Sequence, residues 1–381
     1  MGLANFLLEV ARMNSEFNFT VMTKDLQKAL NVAVKNIRVK PTVPMLANIH
    51  FIAKDDKVEI QAVEATESIA VIIDAEISIP GEFVVDAKLI TNIVDHIEED
   101  SVLISKEKDR GNLQIQSGWN ITNINIVPVL EYPRFPEAEA EKTVSINKED
   151  LDNMINKTVF ACSTDTTRPI LTGAYINFSE GEVMVAASDS RVLAISKKNS
   201  ENTVAGLSAI IPAKVLNNVQ SIDGKKKEID ISFTDSRVIF TCNKTRIVSN
   251  VINGNYPNVN QVIPKDWVTV VNVDREKFLK AVERVKVLGE NDLKAITLDI
   301  QDEQIFLTTS SEKGMGHEAV PAIVSGEPVK IAFNIRYLNN VLRKMPTNNI
   351  TMRVKSSVSP TLITENEDEE TKYIISPIRV A

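Results

Sequence analysis

The sequence predicts an α+β protein made of three consecutive copies of one β-α-β-β-β-α-β-β-β domain. Three observations carry this. A short half-buried strand leading into an amphipathic helix occurs three times, and a second strand–helix pair follows each of them. Apolar runs that end in Tyr-Pro close the first two copies, at Tyr132 and Tyr256. Regular self-similarity of this kind is the mark of duplicated structural units.

The first strands are Phe19-Thr20-Val21, Val144-Ser145-Ile146 and Val271-Asn272-Val273, each alternating apolar, polar, apolar as a strand with one buried face does. Helices open at Asp25-Leu26, Asp150-Leu151 and Lys277-Phe278, 125 and then 127 residues apart. Their apolar stripes, Leu26/Ala29/Leu30, Leu151/Met154/Ile155 and Phe278/Ala281/Val282, sit at i, i+3, i+4. Core strands follow at 45–51, 171–178 and 295–300. Second strand–helix pairs are written as GEFVVDAKLITNIVDHI (81–97), LSAIIPAKVLNNVQSI (207–222) and VKIAFNIRYLNNVLRKM (329–345). Lys88, Lys214 and Arg336 correspond, and LNNV recurs at 216–219 and 338–341. Paired strands and a final run complete each copy. Proline has no N–H to give a ladder, so Tyr-Pro is a natural exit from a sheet.

The expected boundaries are an N-terminal extension over residues 1–16, non-native or disordered, and domains over 17–142, 143–266 and 267–381. PEAEAEK (136–142) and IPKDW (263–267) read as the linkers. A chain of 381 residues exceeds the roughly 250–300 at which a single core stops growing.

Composition narrows the function. Two cysteines, Cys162 and Cys242, are too few for a disulfide framework or a spaced zinc site and point to a reducing cytoplasm. No apolar run approaches the roughly 18 residues of a membrane span. His50, His96 and His317 lack metal-ligand spacing, no phosphate-binding glycine loop is present, and no cofactor is expected. Ser105-xx-Lys108 and Ser310-xx-Lys313 fit an acyl-serine pattern but fall in hairpin or loop segments without its companion motifs. Asp189 beside Arg191 reads as a turn and ion pair, and the acidic run 365–370 as a solvated loop.

The formal charge of −8 argues against a uniformly basic, nucleic-acid-coating surface. Charge is nevertheless segregated. Six expected helix windows (23–40, 86–98, 148–158, 212–227, 275–288, 334–344) carry +10 together, leaving −18 elsewhere.

KPTVPMLANI (40–49), RPILTGAYINF (168–178), ASDSRVLAI (187–195), NGNYPNVNQVIP (253–264) and SPIRV (376–380) occur in an order that resembles the bacterial sliding clamp, the beta subunit of DNA polymerase III, from about residue 17 onward. The resemblance implies a DNA clamp fold and a closed six-domain ring, formed as a head-to-tail homodimer with helices lining the pore. It implies a non-catalytic processivity factor in the cytoplasm, associated with the nucleoid. Its partners would be encircled double-stranded DNA, the polymerase III alpha subunit, the clamp loader, and other polymerases and repair proteins that bring short linear motifs.

DNA-facing candidates are Lys24, Lys28, Arg38, Lys40, Arg168, Lys214, Lys277, Lys280, Arg284, Arg336, Arg343 and Lys344, each of which could equally be an ordinary solvated cation. The motif pocket would use Leu171, Ser188, Arg191, Val192, Leu193, Tyr256, Pro257, Val262, Pro360, Ile374, Ser376, Pro377, Ile378 and Arg379, many of them apolar enough to be plain core. Ser376 stands where an apolar Met is common, and Val192 where a basic residue can occur. The dimer interface would involve Ile124 in the first domain and Val287 and Leu288 in the third. The competing reading is a non-catalytic cytoplasmic repeat scaffold that never encircles DNA.

Overall fold

The structure is a computed structural model describing residues 15–35, 37, 41–108, 111–137, 141–200, 206–222, 227–288, 295–312, 314–366 and 368–379. Backbone contacts divide the chain into two compact units, the described residues within Met1–Lys148 and Asn218–Asn250, and those within Glu149–Asn217 and Val251–Ala381. Each unit is built on one 12-stranded sheet system in which every pairing is antiparallel.

The first copy runs β1 (Ser15–Met22), α1 (Thr23–Val34), β2 (Asn48–Lys54), β3 (Lys57–Val63), β4 (Glu67–Ile79), β5 (Gly81–Asp86), α2 (Ala87–Asp95), β6 (Ser101–Glu107), β7 (Asn112–Ser117) and β8 (Asn120–Asn125). The second runs β9 (Lys142–Asn147), α3 (Lys148–Thr158), β10 (Gly173–Ser179), β11 (Glu182–Ser188), β12 (Val192–Asn199), β13 (Leu207–Pro212), α4 (Ala213–Gln220), β14 (Glu228–Phe233), β15 (Arg237–Cys242) and β16 (Thr245–Asn250). The third runs β17 (Thr269–Asp274), α5 (Arg275–Lys286), β18 (Ala295–Gln301), β19 (Gln304–Ser311), β20 (Gly314–Gly326), β21 (Val329–Asn334), α6 (Ile335–Lys344), β22 (Asn349–Val354), β23 (Thr361–Glu365) and β24 (Asp368–Ile375).

The triplication holds, with one correction: four strands, not three, separate the two helices of each copy. In the first copy they lie so close that Pro80 alone divides β4 from β5, and the continuous apolar lettering conceals the breaks. β1 begins at Ser15, two residues before the expected start. The acidic run 365–370 is also not a solvated loop. Glu365 is buried at the end of β23, its carboxylate 3.2 Å from Lys157 Nζ, and β24 starts at Asp368.

All three predicted helix stripes are buried. Side-chain oxygens cap three helix starts: Asp86 accepts from Leu89 N at 2.7 Å, Asp274 from Lys277 N at 2.8 Å and Asn334 from Arg336 N at 2.9 Å, which satisfies donors that a helix start leaves open. In the first unit the core of the first copy is a stack of phenylalanines, with Phe83 at 4.6 Å from Phe51 and 5.3 Å from Phe17. Gly81 makes room for it, since a Cβ there would lie 2.5 Å from Phe17 Cβ.

One strand joint recurs. In the first unit β16 pairs along β4, with Ile247 opposite Ile69 and Arg246 opposite Ala70. In the second, β24 pairs along β12, with Tyr373 opposite Ala194 and Lys372 opposite Ile195. Each time, the last strand of one copy zips onto the third core strand of the copy before it. Buried side chains bolt both joints: Asn218 Nδ2 donates to Glu67 at 2.9 Å in one, and Lys157 reaches Thr371 Oγ1 at 3.3 Å and Glu365 in the other. β8 has no outer neighbour in its sheet, and the first half of β20 pairs on one side only, with β19.

Tyr132 seals the first joint. Its hydroxyl accepts from Val63 N at 3.0 Å and reaches Asn48 O at 3.1 Å, and burial pushes its pKa up to about 12. The Tyr132→Phe variant orphans the Val63 N–H and is expected to lose about 1–3 kcal/mol in urea unfolding. Because the folded state holds this proton to a higher pH than the unfolded chain does, wild-type stability should fall as pH rises from about 10 toward about 12. The variant should lack that segment of the decline.

Candidate functional site

A cavity of about 570 Å³ opens in the second unit, with mainly apolar walls. One wall is the 3-10 turn Pro169–Thr172 with Arg168 before it, a second is the β11–β12 turn, and a third is formed by Tyr256, Pro257 and the 3-10 turn Val259–Gln261. Ile374 of β24 and Ser376 beyond it complete the lining.

The turn between β11 and β12 is shaped by its own polar groups. Asp189 Oδ1 accepts from Arg191 N at 2.8 Å and from Val192 N at 2.9 Å. Ser188 Oγ donates to Val192 O at 2.8 Å and accepts from Ser190 N at 3.1 Å. Ser190 takes a φ of 77°, a left-handed conformation that this hydrogen-bonded turn holds in place. The carboxylate is thus a backbone clamp and turns the Arg191 side chain out into solvent. Arg191 O in turn accepts from Ser376 N at 2.9 Å, which fixes the C-terminal segment against the cavity. Ile378 N donates to Ala332 O at 2.8 Å and continues that anchoring.

Tyr256 lies flat on Tyr175, ring centroids 5.4 Å apart and planes 8° off parallel. Burial, and then the neighbouring Cys162, raise its hydroxyl pKa well above the ordinary tyrosine value. Burial also raises the Cys162 thiol to about 12, which removes it as a nucleophile near neutral pH. Beneath the cavity Met184, Ala186, Leu193, Ile195, Val259, Leu362 and Ile374 form one apolar cluster.

Ten of the fourteen residues expected in a motif pocket line this cavity: Leu171, Ser188, Arg191, Val192, Leu193, Tyr256, Pro257, Val262, Ile374 and Ser376. Pro360, Pro377, Ile378 and Arg379 are not in its lining. Arg168, expected to face DNA, stands instead at the cavity, beside Pro169 and Ile170. Pro169, Ile170, Ser190 and Val259 escaped the sequence reading. The RPIL run could have delivered Pro169 and Ile170, whereas Ser190 enters through a backbone conformation that its letter does not announce.

Of the other expected DNA-facing residues, Lys24, Lys28, Lys214, Lys277, Lys280, Arg284, Arg336 and Arg343 are exposed and Lys344 is half-buried; Arg38 and Lys40 lie outside the described residues. Several are paired: Lys280 with Glu276 at 2.6 Å, Arg284 with Glu318 at 2.7 Å, Arg343 with Glu283 at 2.6 Å, and Lys344 with Asn156 Oδ1 at 2.6 Å. The expected windows at 23–40 and 212–227 overran their helices, which end at Val34 and Gln220. As observed, α1 to α6 carry +1, 0, −1, +1, +3 and +3, so the positive excess is concentrated on α5 and α6. Of the expected interface residues, Val287 is exposed and Leu288 half-buried, but Ile124 points into the core, 7% exposed; the exposed apolar residue on its strand is Ile121. Among the described residues no group of three or more His, Cys, Asp or Glu side chains is disposed to hold a metal, and no helix is long and apolar enough to cross a membrane.

Three antiparallel clamp-type repeats with one apolar pocket, and no constellation of catalytic side chains along it, define a binding and tethering protein. The chain belongs to the DNA polymerase III beta subunit family: the N-terminal, central and C-terminal domains of that family match residues 17–136, 145–258 and 260–379. It is 29% identical over 375 residues to the beta sliding clamp of Bacillus subtilis, covering 95% of this chain and 99% of that one, and 28% identical over 368 residues to that of Synechococcus elongatus, covering 93% and 97%. The crystal structure of the DNA polymerase III beta subunit of Thermotoga maritima superposes with a TM-score of 0.90 at 27% identity, covering 96% of this chain and all of that one. The chain is accordingly a processivity factor of the sliding-clamp type, not a bare repeat scaffold.

Replacing Asp189 by Ala removes the acceptor for two backbone donors. Amide hydrogen exchange at Arg191 and Val192 should then quicken several-fold, in line with about 1 kcal/mol of lost hydrogen bonding. Unchanged rates would show that the turn stands without its carboxylate.

Proposed function

We propose that two copies of this chain close head to tail into a ring around duplex DNA and hold partner proteins at the cavity. The observation that carries this reading is the recurring joint. It is made twice within the chain and leaves its two halves, β8 and β20, without a mate. Unpaired strand edges are open to another chain, and a second copy offers β8 to β20 and β20 to β8. Transferring the internal register puts Ile121 opposite His317 and Asn123 opposite Met315. Exposed Ile121 and Met315, 54% and 71% accessible, and exposed Val287 agree with a covered edge.

The cations of α5 and α6, with Lys24, Lys28 and Lys214, supply weak contacts to phosphate. Such contacts carry no sequence information and weaken steeply with salt, which suits a ring that must slide. Retention then comes from closure and not from affinity. Partner ion pairs such as Arg284–Glu318 keep these cations from gripping any one phosphate. The cavity takes apolar side chains of a short linear motif from the polymerase III alpha subunit, a clamp loader, other polymerases or repair proteins, with Arg168 and Arg191 beside it for acidic flanks. The clamp performs no chemistry and works in the cytoplasm at the nucleoid.

Negative-stain electron microscopy of the purified protein should give rings with a central hole and about six lobes. Open three-lobed particles at micromolar concentration would count against closure. Reversing Lys277, Arg336 and Arg343 to Glu should lower DNA affinity at least tenfold at low salt and flatten its salt dependence, without dissociating the ring. Unaltered affinity would take these helices out of the DNA path.

A further inference from the structure

The β7–β8 hairpin carries Trp119 at its tip, 87% exposed. A tryptophan so open to water wants a cover, and the internal joint states what that cover is. The β15–β16 hairpin is built in the same way. Its turn residue Asn243 has a φ of 51° where Gly118 has 57°, and Lys244 stands where Trp119 does. In the first unit Lys244 is an anchor of the joint. Its carbonyl accepts from Ile72 N at 2.8 Å, and its ammonium pairs with Asp74, holding that carboxyl below its usual range. A groove of about 450 Å³ adjoins it, lined on α1 by Asp25, Lys28, Ala29 and Val32.

The third copy provides the matching groove. Since α1 and α5 start at corresponding residues, Lys28 and Val32 become Lys280 and Arg284. Since Lys57 pairs with Asp74 as Gln304 pairs with Pro321, Ile72 and Asp74 become Ala319 and Pro321. The two sides change together. Where the internal joint sets a lysine on an aspartate, the open edges carry a tryptophan and a proline.

We propose that Trp119 of one copy docks on Pro321 and Ala319 of a second copy, with Lys280 at the rim of the groove, and so locks the joint between copies. An indole ring covers a proline face and tolerates a cation at its edge, whereas a lysine in its place would find no carboxylate. Trp119 is then an interface anchor of the kind that dominates association energies. This inference rests on the head-to-tail reading above.

The test uses the full chain in a Trp267→Phe background, so that Trp119 is the sole fluorophore. As concentration rises through the dimerisation midpoint measured by sedimentation, its emission should move to shorter wavelength. Trp119→Ala should raise the dimer dissociation constant at least tenfold with no change in the far-ultraviolet circular dichroism. Trp119→Lys and Pro321→Asp should each weaken the dimer, while the double variant, which rebuilds the Lys244–Asp74 arrangement, should recover most of the loss. A dimer that forms with unshifted emission, or that tolerates Trp119→Ala, overturns the docking and leaves the ring intact. A parent protein that stays monomeric throughout overturns both.

Discussion

The architecture depends on one constraint: a strand edge has to be paired. Each copy ends in a strand whose outer edge would be bare, and each of the first two copies contains a core strand that accepts such an edge. β16 on β4 and β24 on β12 satisfy that need with the same register. The anchoring beyond the last strand is equally repetitive. Val127, Ile252 and Ile378 each donate a backbone hydrogen bond of 2.8 Å to the corresponding residue of the strand before the second helix, Val84, Ile210 and Ala332. Backbone hydrogen bonds need no particular side chains, so the copies could diverge in composition while the joint stayed fixed.

That divergence explains why a chain with repeated joints has its large apolar cavity at one of them. At the first joint Tyr132 drives its hydroxyl into three backbone groups and packs with Val63, Ala70, Val84 and Phe135, so the space is filled. At the second, Tyr175 stands where the first copy has His50, and Tyr256 stacks flat on it instead of plunging inward. Gly173 replaces Asn48, and a Cβ there would lie 2.6 Å from Ile211 O. Small changes at matched positions have turned a plug into a wall.

Much of the fold was legible in the sequence because it is written three times. Chance resemblance in one segment is weak, but stripes such as Leu26/Ala29/Leu30 and Phe278/Ala281/Val282 recurring at fixed spacing reinforce one another. Strand number was not legible, since apolar lettering runs unbroken through β4 and β5 and only pairing reveals where one strand ends. The cavity was mostly legible through family likeness in motifs such as SDSRVL and NYPNV. Residues that join it through turn conformation, as Ser190 does, or through proximity, as Arg168 does, left no periodic trace. The acidic 365–370 run misled for a related reason: charge predicts exposure until a specific counter-ion, here Lys157, reverses it.

The buried bolts of the two internal joints have a mechanical meaning. Pulling β24 from β12 would strand the Glu365 carboxylate, whose side chain is 1% exposed, away from Lys157, and stripping one partner from a buried pair costs about 3–5 kcal/mol. Parting β16 from β4 would likewise abandon Glu67. At the free edges, the residue in the place of Lys157 is Arg284, already spent on Glu318 of its own copy. A ring assembled from such parts has its weak link built in: under load it gives way between copies and never within one, so a machine that prises it open needs to know only where the chain ends.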